Sequence, residues 1–121
     1  MWRLLVASVA KDNHAKLVVD AFFLAVQQNR LEDAYHIFNP PESIMSFEDF
    51  KKSKIANYKI KDWQVISGGS GLCGDFRTEN DDGWRSFYGS IADKSDQFSY
   101  FRYSDHLGKE PLNQNGMCHG G

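Results

Sequence analysis

SGGSGLCGDFRTENDDGWRSFYGS, residues 67–90, decides between two folds. Its first part, Gly69-Ser-Gly71-Leu-Cys-Gly74, matches the G-x-G-x-x-G pattern of dinucleotide-binding loops. That pattern binds a pyrophosphate only when a strand precedes it and a helix opens at its last glycine, because backbone N–H groups and the helix N-terminus hold the ligand. Here the residues after Gly74 read as a strand, DFRTE, and Asp82-Gly83 then separates two alternating runs. Aspartate and glycine tolerate the positive φ of a type I′ turn, so the pair signals a hairpin. The stretch is therefore predicted to form two antiparallel strands, with the glycines as an inter-strand connection and Gly74 as a bulge or bend.

A two-residue turn at Asp82-Gly83 also predicts a register. Asp81 then pairs with Trp84, Thr78 with Phe87, Phe76 with Gly89, and Gly74 with Ile91. Phe76, Thr78, Phe87 and Ile91 gather on one apolar face, while Cys73, Asp75, Arg77, Trp84, Ser86, Tyr88 and Ser90 share the other. The next run, FSYFRY at 98–103, takes its orientation from the turn before it. A hairpin at Lys94-Ser95 puts Phe98, Tyr100 and Arg102 on the apolar face, whereas a three-residue loop turns them to the other.

Upstream, YKIKDWQVIS from Tyr58 has the same strand character, and before it the period is helical. Leu17, Ala21, Leu24 and Ala25 recur at helical spacing, and Val18, Phe22 and Phe23 widen the apolar face until burial on two sides is predicted. LEDAYHIF at 31–38 has Glu32 and Asp33 in its first turn, where they complement the helix dipole, and Asn39-Pro40-Pro41 stops it. Ser46-Phe-Glu-Asp49 approximates a capping box opening a third helix. The expected fold class is α+β, with about three N-terminal helices packed on one face of a curved antiparallel meander of three to four strands. One domain is expected over residues 15–104, after an N-terminal extension at 1–14 and before a disordered tail at 105–121, where GKEPLNQNGMCHGG loses all periodicity.

Composition narrows the function classes. The chain has 121 residues, 41% apolar and 25% charged, which suits one globular domain with no need of a metal or disulfide staple. A net charge of −2 gives no general attraction for nucleic acid or acidic lipid. KKSKIANYKIK at 51–61 holds five lysines, but Asp49 and Asp62 flank it and it reads as a solvated face. No stretch reaches the length of a membrane span. The apolar run Leu4 to Ala10 lies at the short limit of a secretory signal, so a cytoplasmic location is expected with export as the alternative. Cys73 and Cys118 are too few for a disulfide framework, and a bridge from a strand to a frayed tail is not expected.

The words VVDAFFLAVQQNRLEDAY, SFEDFKK, YKIKDWQVI and WRSFYGSIA, in that order, resemble the nuclear transport factor 2-like superfamily, of cystatin-like α+β packing and with small bacterial members of unknown function. The likeness covers roughly residues 15–104. One departure is NPPESIM, too short for the early β-hairpin usual between the helices. The resemblance implies a ligand pocket between the helices and the concave sheet face, and in some members an Asp or His base.

On that basis Tyr35, Trp63, Tyr100 and Arg102 are the candidate ligand-binding residues for a small apolar or anionic ligand, with Arg102 the anchor of an anionic one and the three aromatics as walls; the alternative for Arg102 is that it stacks on an aromatic ring or snorkels out at the sheet edge. No cofactor or metal is expected, since no pair among His14, His36, His106 and His119 has ligand spacing. The leading expectation is a non-catalytic ligand-binding or interaction domain that forms a homodimer through Arg77, Trp84, Tyr88, Phe101 and Tyr103. The rival is a small isomerase- or lyase-like enzyme with His36 or Asp75 as base and Tyr100 or Tyr88 as hydrogen-bond donor. Asp75 and Arg77, two apart on one strand face, are otherwise read as a surface ion pair.

Overall fold

A computed structural model describes residues 10–68, 71–91, 95–113 and 118. The apolar run before Ala10, Lys94 of the expected turn, and His119 lie outside them. Among the described residues four helices precede four strands: α1 (Ala10–Gln27), α2 (Leu31–Phe38), α3 (Phe47–Lys52), α4 (Lys54–Asn57), β1 (Ile60–Gly68), β2 (Gly71–Thr78), β3 (Arg85–Ile91) and β4 (Phe98–Tyr103). The strands form one antiparallel meander in the order β1-β2-β3-β4. No helix opens at Gly74, which lies within β2, so the nucleotide-binding arrangement is absent there.

Local chemistry sets the helix ends. Asn39 closes α2 in the left-handed conformation, φ 53°, with its N–H on the Tyr35 carbonyl. Ser46 opens α3 with the reciprocal capping box, its hydroxyl accepting from the Asp49 N–H and the Asp49 carboxylate accepting from the Ser46 N–H. The one helix expected after it is two, because Ser53 is extended (ψ 160°), ends α3, and caps α4 through its own hydroxyl.

Only one side of α1 is covered. Val18, Val19, Phe22, Phe23, Ala25 and Val26 are buried, whereas Leu17 is 63% exposed and Ala21 and Leu24 are exposed beside it. The expected second buried side is therefore an apolar stripe at the surface. Phe22 and Phe23 meet the sheet, with ring centroids 5.6 Å from Phe98 and 5.2 Å from both Phe76 and Phe87.

The β2–β3 register differs from the expected one: Phe87 lies opposite Gly74, not Thr78, and Phe76 opposite Arg85. Asp82-Gly83 does not close a two-residue turn. Trp84 exchanges both backbone hydrogen bonds with Gly108 (2.7 and 2.9 Å) in place of Asp81, and the Asp81 carboxylate instead accepts from Thr78 Oγ1 and Arg85 Nη2, each at 3.1 Å. The partner of Phe87 moves by an even number of residues, so every side chain keeps its face. Gly74 is not a bulge. A Cβ there would overlap the Gln64 carbonyl oxygen and the Phe87 ring, which lies over the bare backbone.

A bulge does occur on β4. Ser90 pairs with Tyr100 and Ile91 with Phe98, leaving Ser99 as the extra residue, its hydroxyl 2.9 Å from Ser90 Oγ. Phe98 keeps its expected place in the core, but Phe101 and Tyr103 now face the helices, opposite Gly89 and Phe87. Tyr100 and Arg102 are turned out and exposed.

In the segment expected to fray, residues 107–113 form a strap across the outer face of the sheet. After β4, the Ser104 N–H reaches the Ser86 carbonyl (2.9 Å), Gly108 pairs with Trp84, and the Leu112 and Asn113 amides meet Asp75. A disulfide then joins Cys118 to Cys73. This bridge corrects the expectation of two unpaired cysteines: the hydrogen bonds of Ser104, Gly108, Leu112 and Asn113 already hold the preceding chain to the sheet, so the cost of ordering is shared among several contacts.

Candidate functional site

The four expected ligand residues do not converge. Tyr35 donates its hydroxyl to the Met45 carbonyl (2.8 Å) and packs against the Phe47 and Phe50 rings. Trp63 donates its indole N–H to Asp20 (2.7 Å) and stacks on Phe23. Tyr100 and Arg102 lie on the other side of the sheet, because the Ser99 bulge sets the orientation of β4. Among the five expected interface residues, Phe101 and Tyr103 face inward. Trp84 takes the Arg77 guanidinium over its ring at 4.6 Å, and Tyr88 lies half-buried opposite Arg102.

The cation on the helix-facing side is Arg85. It is 8% exposed, holds its guanidinium 4.6 Å over the Tyr58 ring, and bonds Asp81 and Thr78 through its two terminal nitrogens. Its Nε is buried with no hydrogen-bond partner among the described residues. Tyr58 in turn donates to Asp105 (2.8 Å), which also receives Lys54 Nζ (3.1 Å). Burial and the Asp105 hydrogen bond push the Tyr58 phenol far above its ordinary 10.0, and burial with the Asp105 charge raises Tyr103 as well. Asp105 is lowered by the Tyr58 hydrogen bond and by Lys54. Both phenols therefore stay protonated at neutral pH, and the Tyr58 proton is committed to Asp105. The cluster ties α4 to the exit of β4 and supplies no base. The alternation WRSFYGSI places Arg85 on the face of Phe87 and Ile91, which is the signal that could have found it.

Asp75 is the other perturbed group. It is wholly buried and accepts hydrogen bonds from the Leu112 N–H (3.0 Å), the Asn113 N–H (3.1 Å) and Gln64 Nε2 (3.3 Å). The expected Asp75–Arg77 surface pair is not formed; Arg77 pairs with Asp62 in a two-point contact instead. Burial dominates and raises the Asp75 carboxyl above the ordinary 3.8, against the lowering effect of its three hydrogen bonds. Between those two values the unfolded chain has released a proton that the folded chain keeps. The group's contribution to stability is therefore fully present below 3.8 and is lost as pH rises through the folded value. Two results are expected: a carboxyl carbon resonance of Asp75 that titrates above 3.8, and a stability advantage over Asp75→Asn that shrinks as pH rises above 3.8. An advantage that grows over this range would mean that the hydrogen bonds outweigh burial.

As a catalytic base Asp75 would need a substrate to displace the strap, since both its oxygens already accept from protein N–H groups. His36 is exposed on α2, with its backbone carbonyl held by Gln97. His14 bonds the Ser95 carbonyl at 2.6 Å. An open groove of about 520 Å³ runs between the end of α1, α4 and the start of β1, lined among others by Gln27, Asn57, Tyr58 and Glu79. None of the candidate ligand residues lines it. Among the described residues no cluster of three or more His, Cys, Asp or Glu could hold a metal ion, and no helix is long and apolar enough to cross a membrane. Comparisons with protein-family models, with curated proteins and with solved structures give no match.

Proposed function

We propose that this chain is a non-catalytic interaction domain of the nuclear transport factor 2-like type that acts through its surface, as a homodimer. The observation that carries this reading is the filled interior. Where that superfamily would hold a small ligand, between helices and sheet, Phe22, Phe23, Phe76, Phe87 and Phe98 have no exposed surface and pack ring against ring. A ligand entering there would have to displace side chains packed at crystal-like density. The surface chemistry instead favours the outward side of β3 and β4, where Tyr100 is 50% exposed beside Arg102 and Tyr88. Tyrosine and arginine are enriched at interfaces because they combine large contact area with hydrogen bonding. The Cys73–Cys118 bridge supports an oxidising compartment in place of the cytoplasm.

Light scattering at micromolar concentration should give the mass of a dimer. The double variant Tyr100→Asp, Arg102→Glu should give a monomer with an unchanged circular dichroism spectrum, since both side chains are exposed. A monomeric wild type removes the homodimer. A dimer that survives the double variant but is lost in Leu17→Glu moves the interface to the α1 stripe.

A further inference from the structure

Leu112 and Asn113 are held in the way a peptide ligand is held. Asn113 has no exposed surface, and three of its polar groups are met by β1 and β2: its N–H by Asp75 Oδ2 (3.1 Å), its carbonyl by Gln64 Nε2 (2.8 Å), and its side-chain Nδ2 by the Gly74 carbonyl (2.8 Å). The Leu112 N–H takes the other Asp75 oxygen, while its side chain is 50% exposed, so leucine is read through its backbone alone. The socket is selective at the asparagine. The Gly74 carbonyl requires a donor, so an aspartate would set oxygen against oxygen, and a glutamine is one methylene too long for a buried position. Occupant and socket are 37 to 49 residues apart in sequence, and the bridge from Cys118, which is exposed, to Cys73, which is buried, keeps the occupant from leaving.

We propose that Gln64, Gly74 and Asp75 form a peptide-binding socket for an asparagine in an extended segment, filled by Leu112-Asn113 in the oxidised protein and opened to a partner protein's asparagine-bearing segment when Cys73–Cys118 is reduced. The reductant is a dithiol. One of its thiolates attacks the sulfur of Cys118, the exposed residue of the pair, the Sγ–Sγ bond breaks, and the Cys73 sulfur leaves and takes up a proton. The second thiol of the reductant then resolves the mixed disulfide, releasing Cys118 as a thiol and closing the reductant's own disulfide. Reduction alone does not empty the socket, because the tethered segment still competes at an effective concentration on the order of millimolar. The partner displaces it by abundance or by further contacts. The socket lies on β1 and β2, so this inference stands apart from self-association through β3 and β4.

The test uses the full-length Asn113→Ala protein under dithiothreitol, in which the competing segment is disabled, and a fluorescein-labelled peptide of sequence KEPLNQNG, residues 109–116. Fluorescence anisotropy should show saturable binding, about tenfold weaker or worse for KEPLAQNG, and no binding to the oxidised wild type. Equal affinity for the two peptides, equal binding to the oxidised wild type, or no binding to the reduced variant overturns the proposal. Should Asn113→Ala fail to fold, the Cys118→Ser protein keeps the question open to measurement, because it leaves the Cys73 thiol for trapping. In a glutathione redox buffer the peptide KEPLNQNGMC should form a mixed disulfide with Cys73 about tenfold faster than its asparagine-to-alanine counterpart. Equal trapping rates overturn the socket.

Discussion

Phe23→Ala is expected to lower the stability of the fold by about 3–5 kcal/mol, measured by denaturant unfolding. Phe23 has no exposed surface, and its ring centroid lies 5.3 Å from Phe22, 5.5 Å from Trp63, 5.2 Å from Phe76 and Phe87, and 6.2 Å from Phe101. Those neighbours belong to α1 and to all four strands, which the backbone ladders hold apart. They cannot close together over the vacated space, so the loss includes a cavity as well as the transfer free energy of the ring. Leu24, the next residue along α1 but 38% exposed, is the control, and Leu24→Ala should change stability far less. A loss below about 1 kcal/mol at Phe23 would mean that the interior is not packed as described.

Reduction, or Cys118→Ser, is expected to remove about 2–4 kcal/mol and roughly 10 °C of melting midpoint. The bridge spans 45 residues of sequence, and for a loop of that size the chain-entropy model puts its effect near the top of the range, about 4 kcal/mol. Cys118 is the residue to change, because Cys73 is fully buried and a serine there would also bury a hydroxyl. Equal midpoints with and without dithiothreitol would show that the hydrogen bonds to Asp75 hold the strap unaided.

The α+β class was legible at Tyr58, where the hydrophobic period changes from helical to alternating, and the face assignments within β2 and β3 followed from alternation alone. Alternation fixes which residues share a face but not how far one strand slides along its neighbour. That distance was set by Trp84 choosing Gly108 over Asp81, a contact between residues 24 apart that no local turn signal carries. The orientation of β4 depended on a single extra residue, Ser99, and a one-residue bulge leaves no mark in a run as short as FSYFRY. Arg102 therefore stood where Arg85 belongs. The strap was illegible for a different reason: its residues are polar and aperiodic because they bond through backbone and amide groups to Asp75, Gln64 and Gly74, and hydrophobic patterning does not register such contacts.

The strap also orders events during synthesis. At about 5–20 residues per second, roughly 2–9 s separate the appearance of Cys73 from that of Cys118, 45 residues later. Through that interval the two strands of the β1–β2 hairpin can already be paired, while Asp75 is still hydrated and Cys73 still carries its thiol. These 121 residues contain no third cysteine, so within them Cys73 has no wrong partner to meet while it waits. The 121-residue chain kept dilute should therefore close the correct bridge without an isomerase.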